Sequence, residues 1–337
     1  MSDSQPLRVV ALGAGAVGGY FGGALAHAGH KVTMLARGEN LAAIRARGLE
    51  LRVSASAMNA QSGAPPLAQS ILAPVNATDD LDALPEADLV LVTVKSYSLH
   101  EVARAAVRLA EGGAMVVPLL NGIDAADRLA ALGVPRSALL GGVTVISVAK
   151  IGPGIIERRS AFQRVVIGQL DGSAGSGSDA NESGVVERIN RIVAAFQDAG
   201  VEARVSPQID VELWHKLIFL ASMAAACGLA RRDVGAVRAA PLGHILIGRA
   251  VAEIVAVARA HGVGVDANIA EQTIATIEAL PAAMRPSFLA DVERGGPTEL
   301  DVLSGAVSRL GRKYGIPTPV HDTAVAALGA ATGMTES

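Results

Sequence analysis

Lys216 stands in Val211-Glu212-Leu213-Trp214-His215-Lys216-Leu217-Ile218-Phe219-Leu220, an otherwise apolar stretch of helical character. An ammonium held among apolar side chains loses hydration, so its pKa falls and it becomes a usable proton donor. A lysine snorkelling from a helix start is the competing reading of the same residues. His215 points about 100 degrees away from Lys216 on a helix and is read as structural. Glu299 follows Pro297 and Thr298 at a predicted helix N-terminus, where a glutamate is commonly a partner of the helix dipole. Ser287, in Arg285-Pro286-Ser287-Phe288, says nothing by itself. Two further polar residues close apolar runs: Lys95 after 88–94 and Asn121 after 114–120. Ligands of open α/β sheets bind beyond the carboxyl ends of strands, so both are candidates to face a cofactor or substrate.

A second kind of chemistry lies near the N-terminus. An apolar run from Arg8 to Leu12 breaks into Gly13-Ala14-Gly15-Ala16-Val17-Gly18 and then passes into a helical segment. This is strand, glycine turn and helix with the G-x-G-x-x-G spacing of a dinucleotide site. Gly13 allows the tight turn, Gly15 lets backbone approach a pyrophosphate, and Gly18 lets the helix sit close on the strand. The helix N-terminus offers free N–H groups to phosphates. The second predicted strand, 31–36, runs into Arg37 with no carboxylate before Glu39. An arginine there suits the 2′-phosphate of NADP, where an acidic residue would suit NAD.

Other chemistries are excluded by what is missing. The seven histidines are scattered, and no His/Cys cluster has metal-ligand spacing, so no metal is expected. No G-x-S-x-G elbow accompanies a histidine at a strand end. The net charge of −3 and the scarcity of aromatics argue against nucleic acid. Cys227, the single cysteine, lies among alanines and reads as a small core residue; its solitude suits a reducing compartment, and a cytoplasmic location is expected. No signal peptide is visible. The apolar run 217–230 is shorter than the roughly 18 to 20 residues a membrane span needs, so a buried helix is expected. The reaction must then come mainly from a cofactor, with the protein supplying orientation, a proton and electrostatics.

The length of 337 residues suggests about two domains. Strands are expected at 7–12, 31–36, 88–94 and 114–120, with helices at 16–29, 41–47 and 99–110. The continuous apolar runs suit strands buried on both faces of a parallel sheet. Residues 49–75 read as strands or hairpins joined by loops, and 79–84 as a short helix or turn. Three more strands, 139–148, 154–157 and 165–170, are expected to extend the sheet in antiparallel fashion. Residues 171–184 read as a flexible loop, followed by a helix at 185–200 and a strand at 201–205. Beyond Ser206-Pro207 the pattern is helical throughout: 208–229, 241–261, 267–280, 285–294, 298–314 and 318–331. The expected fold class is α/β: an N-terminal Rossmann-type dinucleotide-binding domain, 1–206, followed by an all-helical C-terminal domain, 207–337. The substrate is expected in the cleft between them.

Taken together and in order, these motifs resemble the ketopantoate reductase (2-dehydropantoate 2-reductase) family over essentially the whole chain. The glycine motif, Arg37-Gly38, Thr93-Val94-Lys95, Leu120-Asn121-Gly122, Trp214-His215-Lys216-Leu217, Gly296-Pro297-Thr298-Glu299-Leu300-Asp301 and Tyr314-Gly315-Ile316-Pro317-Thr318-Pro319 all match. The resemblance implies that Arg37 binds the NADP 2′-phosphate, that Lys95 and Asn121 lie near cofactor and substrate, and that Lys216 is the catalytic lysine. It also implies that Glu299 is functional, that Ser287 contacts substrate, and it allows a homodimer. The chain departs from the family where substrate-contacting asparagines are replaced by Leu220, Ala224 and Met284, and where an Asn-Gly becomes Ser304-Gly305. A site built to hydrogen-bond a hydroxyl discriminates through those bonds, so their loss should alter substrate preference.

The expected activity is NADPH-dependent reduction of a 2-oxo acid, ketopantoate first among candidates. The alternatives are a reductase or dehydrogenase for a more apolar 2-oxo or 2-hydroxy acid, and a non-catalytic NADP(H) sensor.

Overall fold

The computed structural model describes residues 5–54, 57, 70–170 and 179–332. The chain divides into two compact units, Met1–Leu120 with Ala125–Ile209, and Asn121–Asp124 with Asp210–Ser337. Four residues from within the first span, Asn121–Asp124, thus group with the second unit.

The first unit begins β1 (Arg8–Leu12), α1 (Ala16–His27), β2 (Lys31–Leu35), α2 (Gly38–Arg47), β3 (Leu49–Val53), β4 (Ser70–Ala73) and β5 (Asn76–Thr78). It continues β6 (Leu89–Val92), α3 (Leu99–Glu111), β7 (Met115–Pro118), α4 (Ala125–Ala131), β8 (Gly141–Gly152), β9 (Ile155–Gly168), α5 (Asp179–Asp198) and β10 (Glu202–Val205). One sheet has the order β5-β2-β1-β6-β7, all parallel. Its strands are apolar on both faces for the reason expected. Val9, Ala11, Leu89 and Leu91 enter one core, and Val10, Leu12, Val90 and Val92 enter another on the opposite side.

The strands beyond residue 139 do not extend this sheet. They form a second sheet of order β10-β9-β3-β4, with β8 also paired to β9. The β8–β9 pairing is antiparallel, as expected. The two short strands expected at 154–157 and 165–170 are one continuous strand, β9, whose intervening polar residues pair with β8. β3 joins β9 in parallel across a sequence gap that no local pattern signals.

The second sheet explains α1. This helix is buried on two sides, and its glycines are the means. A Cβ on Gly22 would stand 2.6 Å from the Met34 side chain in the first sheet. A Cβ on Gly19 would stand 2.8 Å from Ile156 in the second. A helix apolar all round is a buried helix, and small residues let both sheets approach it.

α2 starts three residues earlier than the expected 41–47, with Arg37 as its N-cap in extended conformation. The expected loop at 171–184 is helical from Asp179 onward; residues 171–178 lie outside the described residues.

The second unit is helical: α6 (Ile209–Ala230), α7 (Val234–Ala239), α8 (Gly243–Ala260), α9 (Ile269–Glu278), α10 (Ser287–Arg294), α11 (Ala306–Tyr314) and α12 (Pro319–Thr332). α6 is long and apolar enough to cross a membrane by length and composition, but most of its apolar stretch is buried among the other helices. α7 is a short helix the sequence pattern does not reveal. It is capped by Asp233, which accepts from the Ala236 N–H at 2.9 Å. The helix expected at 298–314 begins instead with a π-helical turn, Asp301–Gly305, closed by Gly305 N–H to Leu300 C=O at 2.9 Å.

Candidate functional site

The glycine turn is held from behind. Gly13 has φ +119°, a conformation open to glycine, and a Cβ there would stand 2.9 Å from the Val94 backbone nitrogen. At Gly18 a Cβ would meet both the Gly13 carbonyl and the Thr93 hydroxyl at 2.1 Å. Thr93 Oγ1 donates to Gly13 C=O at 2.8 Å. Asn40, buried in α2, donates to Ala14 C=O at 2.9 Å and accepts from Gly154 N–H at 2.8 Å. Sequence reading missed Asn40. Its only trace is an amide on the inward face of a short helix.

Gly15 differs from Gly13 and Gly18. It is the N-cap of α1 with φ −77°, and a Cβ there would find nothing within 4 Å. Space is therefore open beside the loop. No side chain caps the helix, and its first turn holds no acidic residue. That combination fits a pyrophosphate, which would take the free N–H groups and the positive end of the helix dipole. Arg37 ends the β2–α2 connection with an exposed guanidinium, and its Nη1 pairs with Glu101 Oε2 at 2.7 Å. Lys95 is partly buried and precedes a short 3₁₀ turn, Ser96–Ser98, that leads into α3.

The second unit gathers three residues far apart in sequence. Glu299 is buried, 5% exposed, just before the π-helical turn. Asn121 Nδ2 donates to Glu299 Oε2 at 3.1 Å. The next residue, Gly122 at φ +93°, lies so close to Val302 that a Cβ would stand 3.0 Å from its carbonyl oxygen. The Asn-Gly pair is thus docked on the segment that carries Glu299, and only glycine fits the second position. Arg309 on α11 pairs with Asp301 and approaches Asp124 at 3.9 Å.

Lys216 completes the group from α6. Burial lowers its pKa to about 8, and the negative charge of Glu299 opposes that fall. Two residues earlier, Trp214 packs against His261 with ring centroids 5.5 Å apart, and His261 Nδ1 meets the Tyr314 hydroxyl at 2.7 Å. Residues two apart on a helix point to different sides, so this anchor turns Lys216 away from the stacked rings. His215 Nε2 has no hydrogen-bond partner among the described residues. Cys227 is fully buried, and burial pushes its thiol up to about 11, which suits a packing role.

The π-helical turn has its own support. Ser304 and His321 are both 0% exposed. His321 Nε2 faces the Ala250 carbonyl at 3.1 Å, and Nδ1 faces Ser304 Oγ at 3.1 Å. A carbonyl can only accept, so Nε2 carries the hydrogen and Nδ1 accepts from the serine. The ring is neutral, and burial lowers its pKa to about 4.

The structure therefore brings Asn121, Lys216 and Glu299 together, and separately frames the glycine loop with Thr93 and Asn40. Ser287 opens α10 as an exposed residue. Leu220 is partly buried and Ala224 is 2% exposed, one and two turns after Lys216 on α6.

Two family models match the chain: ketopantoate reductase PanE/ApbA over residues 9–172, and the C-terminal region of the same family over 208–332. The chain belongs to the ketopantoate reductase PanE/ApbA family. The 2-dehydropantoate 2-reductase of Halobacterium salinarum is 33% identical over 318 residues, covering 94% of this chain and 96% of the relative. The crystal structure of a PanE/ApbA family ketopantoate reductase from Ralstonia eutropha JMP134 is 28% identical with a TM-score of 0.80, covering 97% of this chain and 99% of that one. D-mandelate dehydrogenase, solved with NADH and anilino(oxo)acetate, shares the fold at 22% identity with a TM-score of 0.81, over 97% of this chain and 99% of that one. The protein is a ketopantoate-reductase-like oxidoreductase with a Rossmann-type dinucleotide-binding fold.

Proposed function

We propose that the protein reduces a 2-oxo acid to the 2-hydroxy acid with NADPH, with ketopantoate, reduced to pantoate, as the first-choice substrate. The observation that carries this reading is the group in the second unit: a lysine lowered to about 8 beside a carboxylate that an asparagine orients. A proton donor works best with a pKa near the working pH. The reduced nicotinamide, when bound, supplies the hydride. Lys216 Nζ gives its proton to the oxygen of the forming alkoxide. Glu299 keeps that ammonium charged against desolvation and, with Ser287, positions the substrate. Asn121 holds the Glu299 carboxylate and, with Lys95, orders the junction of cofactor and substrate. The Gly13–Gly18 loop takes the pyrophosphate, and Arg37 the 2′-phosphate.

A second reading rests on a specific observation. Along α6, Leu220 and Ala224 follow Lys216 at helical spacing, and Met284 packs against the same core. These side chains offer no hydrogen bond to a substrate hydroxyl, so they favour a 2-oxo acid with an apolar side chain. NADPH oxidation against a panel of 2-oxo acids decides. Highest kcat/KM with ketopantoate supports the first reading, and at least tenfold higher values with branched or aryl 2-oxo acids support the second. No turnover with any member overturns both.

A further inference from the structure

Arg37 already has a carboxylate partner. Its Nη1 lies 2.7 Å from Glu101 Oε2, with 60% of the Arg37 side chain and 34% of the Glu101 side chain exposed. Glu101 is the third residue of α3, and Ser98 is the N-cap. Ser98 makes no side-chain cap bond to the helix backbone; its hydroxyl bonds the Glu101 carboxylate instead. Hydrogen bonds from the Ser98 hydroxyl and from Arg37 hold this carboxyl below the usual carboxylate range, with the His100 charge adding to the effect. Glu101 is thus ionised at neutral pH and anchored by its own helix. Arg37 follows β2, and α3 follows β6, strands that flank β1 on either side. The pair stands beyond the carboxyl ends of the sheet, where dinucleotides bind in such folds.

We infer that Glu101 is a specificity-determining residue that limits how strongly Arg37 selects a 2′-phosphate over a 2′-hydroxyl. The inference rests on the proposed contact between Arg37 and the 2′-phosphate. A phosphate arriving at this guanidinium meets a fixed negative charge already bonded to it, and like charges a few ångströms apart repel even in water. A ribose hydroxyl meets no such penalty and can donate to the carboxylate. Glu101 therefore narrows the preference for NADPH over NADH. The pair is exposed, and exposed pairs add little to stability, so its removal is readable in binding without loss of the fold.

The test measures dissociation constants for NADPH and NADH by nicotinamide fluorescence, in the intact chain and in Glu101→Gln and Arg37→Ala. Glutamine keeps the length and an oxygen to accept from the Ser98 hydroxyl but removes the charge. In Glu101→Gln, NADPH should bind about three- to tenfold tighter at low salt, with NADH unchanged or weaker. The gain should shrink as ionic strength rises. Unchanged or weaker NADPH binding, or an equal gain for both nucleotides, overturns the inference. Arg37→Ala separates the two ideas. If it leaves the NADPH-to-NADH ratio at the wild-type value, the phosphate contact itself fails and the inference fails with it. If it collapses the ratio while Glu101→Gln leaves it unchanged, only the inference fails.

Discussion

The glycine loop of the first unit and the Lys216 group of the second are built on opposite principles. The loop is made of backbone and of missing side chains, within six consecutive residues from Gly13 to Gly18. The Lys216 group is made of side chains, and Asn121 and Glu299 are 178 residues apart in sequence. Nothing stands beside Gly15. Much stands beside Lys216: burial lowers the pKa of its ammonium, and a carboxylate holds it back from falling further. A binding cradle asks for open space and free donors, whereas a proton donor asks for crowding and a neighbouring charge.

The largest expected effect lies in the second unit. Lys216→Ala should lower kcat for reduction by about 10²–10⁴-fold, the usual worth of a positioned acid. Nucleotide affinity should stay within about twofold. Steady-state kinetics beside a fluorescence titration reads both, and a variant that keeps wild-type kcat would break the contrast between cradle and donor. The same lysine sets a pH dependence. If Lys216 donates the proton as proposed, kcat for reduction should fall as pH rises through about 8.

His321 should produce the next largest effect, on stability. Its ring is neutral when folded, with a pKa of about 4 against the ordinary 6.5. The unfolded chain takes up the proton first as pH falls, so stability present above about 6.5 is lost progressively down to about 4. The gap corresponds to about 3 kcal/mol. Urea unfolding at pH 7 and pH 4 measures it, and His321→Gln should flatten the difference; an equally steep loss in that variant would assign the pH dependence elsewhere.

The smallest effects sharpen the contrast inside the loop itself. Gly18→Ala drives a Cβ into the Gly13 carbonyl and the Thr93 hydroxyl, so it should cost about 1–3 kcal/mol of folding stability. Gly15→Ala meets no atom and no backbone strain. Its melting temperature should match wild type while nucleotide affinity falls about tenfold, or about 1.4 kcal/mol. Equal losses of stability in both variants would show that Gly15 is a folding glycine like its neighbour.

Much of the first unit was legible in sequence because its evidence is local. β1, β6 and β7 read as doubly buried strands from their unbroken apolar runs, and they are. The second sheet was not legible, since β3 pairs with β9 across about a hundred residues and no periodicity within either strand names its partner. Gly19 and Gly23 are unexplained by sequence for the same reason, as only the second sheet shows what they accommodate. In the second unit the helical character was plain. The π-helical turn at Asp301–Gly305 was not, because the buried pairing of Ser304 with His321 depends on a helix that begins later in the chain. Ser98-Leu99-His100-Glu101 has the spacing of a helix start, and that pattern says nothing of a guanidinium across the sheet.

By itself the sequence determined the strand–glycine–helix entry, the arginine after the second strand, the helical character of the C-terminal part and the family. Each depends on neighbours within a few residues, or on motifs that recur in order. Tertiary structure alone decided that α1 is buried between two sheets, that Asn121 belongs with Glu299, and that Arg37 is held by Glu101. Hydrogen bonds and ion pairs act over a few ångströms, whatever the number of residues between the partners. Only folding turns a separation of 178 residues into a contact of 3.1 Å.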